Sequence, residues 1–154
     1  MKTAPVIKIQ REDFDTAEEI KSVASGNKNT GAVVTFTGLC RDENGALSAL
    51  ELEHYPGMAE AEIIRIAEQA IERWPITGLK VIHRYGKVAP GENIVLVVAA
   101  SAHRQAAFEA ASFLMDFLKS RAPFWKREHL ADGSTGEWVD AKESDEQSLE
   151  QWKT

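Results

Sequence analysis

Apolar and polar residues alternate in two different periods along this chain, and the changes between them mark its elements. "PVIKIQ" (5–10) alternates and predicts a short strand; "DFDTAEEIKSVAS" after it carries early acidic residues and apolar ones at helical spacing, which predicts a short helix. "GNKNTG" is a loop by its Gly and Asn content. "AVVTFTGL" is β-branched and mostly apolar, hence a buried strand, and "RDENG" turns the chain. In "LSALELEHY" the apolar positions Leu47 and Ala49 shift phase to Leu50 and Leu52, which predicts a bulged strand pairing back on the preceding one as a hairpin.

From Met58 to Trp74, apolar Ile63, Ala67, Ala70 and Trp74 recur every three or four residues until Pro75, the pattern of an amphipathic helix. "GLKVIHRYG" and "ENIVLVVAAS" read as strands around the Pro90-Gly91 turn; the second is apolar on both faces and belongs at the centre of a sheet. A second helix is expected from His103 to Arg121, with Phe108, Ala111, Met115 and Leu118 on its inner stripe and Pro123 ending it. "FWKREHL" and "GEWVDA" then form a last hairpin around Asp132-Gly133. These elements predict one folding unit, with a small lobe, followed by a polar tail, mobile or weakly helical.

The 154 residues are enough for one well-buried core. A formal charge of −6 gives no general attraction to nucleic acid or to an anionic membrane, so any anion site must be local. The first residues lack a signal-peptide pattern and no run is long and apolar enough to span a bilayer, which gives a cytoplasmic expectation. A single cysteine, Cys40, excludes an internal disulfide, and no CxxC pair or Cys/His cluster offers a metal site.

The local exception to the acidic balance is the second half of the chain. Between His103 and Glu128, Arg104, Lys119, Arg121, Lys126 and Arg127 face only Glu109, Asp116 and Glu128. His103 and Arg104 would lie at a helix start following a buried strand, where exposed N–H groups and the helix dipole favour a phosphate; a solvated arginine and a packing histidine explain the pair equally well. Lys119 lies near that helix's end, and a chain turning back after Pro123 would carry Lys126 toward it. Two adjacent ammoniums would depress the pKa of one, leaving an amine able to act as base or nucleophile, although a lysine also simply complements a helix C-terminus. Trp125 and Phe124 offer rings for stacking, with the core competing for one of them. Arg41 follows Gly38-Leu39-Cys40, where glycine permits close backbone approach, and Cys40 itself has flanks suggesting burial and a raised pKa. His54, His83 and His129 show no sequence spacing that pairs them with a carboxylate or thiol. No GxSxG, P-loop or GxGxxG occurs.

Taken in order, "FTGLCRDENG", "LELEHYPGMAE", "HRYGKVAPGE", "HRQAAFEA", "MDFLKSRAPFWKRE" and "DGSTGEW" closely resemble the large, catalytic subunit of molybdopterin synthase, from Gly31 to about Trp138. The resemblance implies an α+β fold of the α/β-hammerhead type, a single domain over residues 1–140 followed by the tail over 141–154, with a mixed or antiparallel sheet, two main helices and a small β subdomain. It implies conversion of a cyclic pyranopterin monophosphate into molybdopterin by transfer of two dithiolene sulfurs. The sulfur would come from the C-terminal thiocarboxylate of a small ubiquitin-like subunit, with no cofactor of the chain's own, in a heterotetramer built on a homodimer. By motif, Lys119 and Lys126 are the catalytic pair; Leu39, Cys40, Arg41, His103, Arg104, Arg127 and Glu128 join them in binding the substrate, with His103 and Arg104 reaching across the dimer. Cys40 departs from the small aliphatic usual there. The rival reading is a non-catalytic module that binds a phosphate, a pterin or a ubiquitin-like partner through the same residues; a single-stranded nucleic-acid module is disfavoured by the charge.

Overall fold

The computed structural model describes residues 3–121, 123–139 and 150–152. Its strands are β1 (Val6–Gln10), β2 (Ala32–Leu39), β3 (Leu47–His54), β4 (Ile76–Arg84), β5 (Gly86–Val88), β6 (Asn93–Ser101) and β7 (Phe124–Leu130); its helices are α1 (Thr16–Ala24), α2 (Met58–Arg73) and α3 (Arg104–Ser120). A four-stranded sheet runs β1-β4-β6-β2 and a three-stranded sheet runs β5-β3-β7. Only β1 and β4 pair in parallel; the other named pairs are antiparallel. The fold is α+β, as expected.

The doubly apolar β6 lies inside the larger sheet, between β4 and β2, and is buried continuously from Val95 to Ser101. One face of that sheet meets α2 and α3 through Ile63, Ile66, Ala67, Phe113 and Leu114, together with Val81, Val95 and Val97. On the other face Ile82, Leu96 and Val98 meet Phe14, Ile20 and Val23 around α1. Asp15 caps α1 by accepting from the backbone N–H groups of Ala17 and Glu18 at 3.0 and 3.3 Å. At the start of α2, Glu60 reaches back to accept from Gly57 N–H at 2.5 Å, half of a capping box.

Three expectations are corrected. β2 and β3 do not form a hairpin: β2 takes β6 as its partner, from Ala32 opposite Ser101 to Leu39 opposite Asn93, and β3 leaves for the second sheet. The reason is that β6 needs an apolar neighbour on each side, whereas the half-polar β3 suits a sheet with one covered face. The phase shift in β3 is a register irregularity between Leu47 and Ala49, against β7. The inner stripe of α3 is Ala106, Ala107, Ala110, Ala111, Phe113, Leu114 and Leu118, while Phe108 is 60% exposed. The alanines let the helix approach the valine-paved sheet closely, which turns Phe108 outward. "GLKVIHRYG" does not end a strand at its glycine: β4 stops at Arg84, and Gly86, at φ +85°, opens β5 and redirects the chain from the first sheet into the second.

The last hairpin forms loosely. After a turn in which Asp132 accepts from Ser134 N–H at 2.8 Å, residues 134–139 return along β7, joined through bridges at His129–Thr135 and Lys126–Val139. Of the tail expected over 141–154, Glu150–Trp152 form a short 3-10 turn whose Trp152 ring packs edge-on against Trp74 and Phe113, and the rest lies outside the described residues. No described helix is long and apolar enough to cross a membrane.

Candidate functional site

A cavity of about 370 Å³ opens where the end of β2, the end of α3 and the strand β7 meet. Its lining includes Leu39, Cys40, Arg41, Lys119, Lys126, Arg127 and Glu128, with Gly136, Glu137 and Val139 of the returning segment as a further wall.

The floor is the Leu39–Arg41 backbone. Cys40 N–H donates to Glu92 carbonyl at 2.9 Å and Gly91 N–H donates to Cys40 carbonyl at 2.8 Å, so the Pro90-Gly91 turn fixes this peptide from both sides. Cys40 is 4% exposed, and burial pushes its thiol pKa up, assisted by the carboxylates of Glu92, Glu43 and Asp42. Arg41 extends into solvent and pairs with Glu43 at 3.2 Å.

Lys119 is the penultimate residue of α3 and is exposed; Lys126 stands on β7 and is half-buried. Thus a helix end and a strand, joined by the turn around Pro123, place both lysines on one cavity. Lys126 is opposite Leu52 on β3 and Val139 on the return, with which it exchanges both backbone hydrogen bonds, at 3.2 and 2.7 Å. Arg127, one residue along, has its side chain on the other face of this sheet. Its Nε donates to Glu51 at 3.0 Å and its guanidinium lies 4.4 Å from the centre of the Trp138 ring.

His103 and Arg104 are not brought to this cavity within one chain. They are exposed at the start of α3, and Lys119 almost closes that helix, so at 1.5 Å per residue roughly 20 Å separates the two ends. The sheet says the same: β6 delivers the helix start beside Ala32, whereas the cavity adjoins Leu39 and Ile94 at the opposite end of the β2–β6 ladder. His103 occupies the N-cap position without a side-chain capping bond.

Sequence reasoning missed two features. Residues 136–139 were legible as a hairpin arm but not as a cavity wall. His129 does pair with a carboxylate, Glu51, at 2.8 Å, because the two strands bring together residues far apart in sequence. The Glu51 carboxyl is held below its usual range by the His129 hydrogen bond, against partial burial, and by Arg127. Among the described residues, no three His, Cys, Asp or Glu side chains gather into a metal-holding group.

Two sheets, with a cavity lined by Arg41, Lys119, Lys126 and Arg127 and by Glu43, Glu128 and Glu137, define an α+β domain with a charged pocket open to solvent. Residues 9–121 match the family model described as MoaE protein, and the chain belongs to that family. It is 72% identical to the molybdopterin synthase catalytic subunit of Mesorhizobium japonicum, over 98% of this chain and 95% of that one. A solved molybdopterin biosynthesis MoaE protein from Burkholderia ambifaria superposes with a TM-score of 0.83 at 42% identity, covering 96% of this chain and 97% of the other. A protein-protein complex of subunits 1 and 2 of molybdopterin-converting factor from Helicobacter pylori contains a chain that superposes with a TM-score of 0.73 at 26% identity, over 89% and 90% of the two chains.

Proposed function

We propose that this protein is the catalytic subunit of a molybdopterin synthase, acting in the cytoplasm without a cofactor of its own. It converts a cyclic pyranopterin monophosphate to molybdopterin with sulfur from the C-terminal thiocarboxylate of a small ubiquitin-like subunit. The observation that carries the reading is the convergence of Lys119 and Lys126, from different elements, on one cavity open to solvent.

The chemistry follows from charge. Both reactants bring anions, a phosphate and a thiocarboxylate, and a cavity with lysines on two walls and Arg41 at its rim offsets them. Sulfur bonds to a pterin side-chain carbon as an oxygen leaves that carbon, as the opened phosphate ester for one sulfur and as water for the other. Water then adds to the partner's carbonyl carbon and the C–S bond breaks, which returns the partner as a carboxylate, and a fixed ammonium stabilises the negative charge that develops. A lysine in its amine form serves as the base or nucleophile of the same step. The Leu39–Cys40 backbone, tied to the Pro90-Gly91 turn, gives the substrate a rigid floor. His103 and Arg104 bind the phosphate in the cavity of a second copy, which makes the working unit a homodimer carrying two small subunits.

The test mixes the purified protein with the thiocarboxylated partner and the cyclic precursor and follows dithiolene product. Product formation that falls about a hundredfold or more in Lys119→Ala and Lys126→Ala is expected. Partner binding without product in the unmutated protein would replace this reading by that of a binding module.

A further inference from the structure

We propose that Arg127 is a positioning residue for Lys126: with Glu51 and Trp138 it forms a brace across one face of the second sheet that fixes the strand presenting Lys126 on the other face. The proposal rests on the synthase reading for its kinetic arm only.

In the ladder of β3 with β7, Glu51 stands opposite Arg127 and Leu52 opposite Lys126. On the far side of β7, Lys126 is bridged to Val139, which puts Trp138 beside Arg127. Two rows therefore cross the same three segments on opposite faces: Glu51–Arg127–Trp138 and Leu52–Lys126–Val139. The inner row carries the buried Leu52 and the cavity. The outer row carries the Arg127–Glu51 hydrogen bond at 3.0 Å and the Arg127–Trp138 stack at 4.4 Å, so one guanidinium links both neighbours of β7. His129 anchors the same Glu51 oxygen at 2.8 Å and keeps that carboxylate in place. The guanidinium's hydrogen bond and ring contact are both made on the outer face, to Glu51 and Trp138, so although Arg127 also borders the cavity, its effect on Lys126 passes through the backbone of β7. Lysine reproduces neither the planar stack nor the Nε donor, which makes arginine specific here.

The experiment uses Glu51→Ala, Arg127→Ala, the milder Arg127→Lys, and the double variant Glu51→Ala/Arg127→Ala, with two readouts. The first is labelling of the full chain with limiting acetic anhydride, comparing the Lys126 amine with the exposed Lys28 by mass spectrometry. Lys126 labelling should rise about threefold or more in both alanine variants, and less in Arg127→Lys, with Lys28 unchanged. Unaltered Lys126 labelling in both alanine variants would overturn the proposal, whether or not the protein proves to be a synthase. The second readout is steady-state turnover. Each alanine variant should lose about tenfold in kcat with KM for the pterin held within about twofold, and the double variant should be no worse than either single one. If Arg127→Ala instead raises KM for the pterin while Glu51→Ala behaves as the unmutated protein, the guanidinium touches the substrate and the brace is wrong. A wild-type protein without turnover would fail the synthase reading and leave the labelling readout to decide the brace.

Discussion

His83 sits at the seam of the two sheets, 8% exposed, its ring stacked on Phe124 with centroids 3.8 Å apart and planes at 16°. Its Nδ1 makes a 2.9 Å hydrogen bond with the Arg84 carbonyl. Burial removes the water that would solvate an imidazolium, the Arg84 carbonyl compensates only in part, and nearby His54 adds to the penalty, so the pKa falls from 6.5 to about 4. The sign follows directly. In the unfolded chain the ring takes up a proton as the pH drops below 6.5; in the folded chain it resists until about 4. The unfolded state thus binds more protons across that window, and stability declines as the solution is acidified through it, levelling off below. At 1.36 kcal/mol per pH unit the gap corresponds to a loss of roughly 3 kcal/mol. Urea unfolding, followed by tryptophan fluorescence at several pH values between about 7 and about 4, should be run on the protein and on His83→Gln, whose amide also donates to a carbonyl. Carboxylates titrate in both proteins and cancel in the difference. The stability advantage of the unmutated protein should shrink by roughly 3 kcal/mol from the upper to the lower pH. Two parallel curves would refute the argument.

Ile66→Ala, at a fully buried position between α2 and the larger sheet, should cost about 3 kcal/mol by urea unfolding; a cost under about 1 kcal/mol would mean the site collapses around the void. At Gly31 an added Cβ would lie 2.4 Å from the Ala102 carbonyl oxygen, so Gly31→Ala should destabilise by about 2 kcal/mol while Gly26→Ala, with nothing within 4 Å, stays near neutral; equal midpoints would contradict this. Cys40, buried with a raised pKa, should react with iodoacetamide at least about tenfold more slowly than a free thiol at about pH 8, and urea should abolish the difference; rapid reaction in the folded protein would show that the thiol is open to the cavity.

The elements were legible where one physical demand acted alone. The helices of Ile63, Ala67 and Ala70 and of Ala111 and Leu118 follow from a single apolar stripe, and β6 announced its central place by being apolar on both faces. What periodicity does not contain is the identity of a partner. β3 has a strand's alternation whichever neighbour it takes, and only the competition of β2 and β4 for β6 sends it to the second sheet. The same blindness hid the Glu51–His129 pair. In the site, charge counting found the cations, and family motifs singled out Lys119 and Lys126. That Arg127 turns away from Lys126 needed the strand assignment of β7 and its register with β3, because neighbouring cations look equivalent until a strand gives them opposite faces.

The alternation along Phe124–Leu130 makes this segment far less tolerant of a change in length than of a change in side chain. Because the period is two, deleting Arg127 while Glu128 to Leu130 keep their pairing would send the Lys126 ammonium out of the cavity and bring its neighbour Trp125 in. Composition and net charge would hardly change, yet the cavity would exchange a cation for an indole. Variation that preserves function is therefore expected as substitutions within β7, with insertions and deletions confined to the Asp132-Gly133 turn, where length alters no strand's facing.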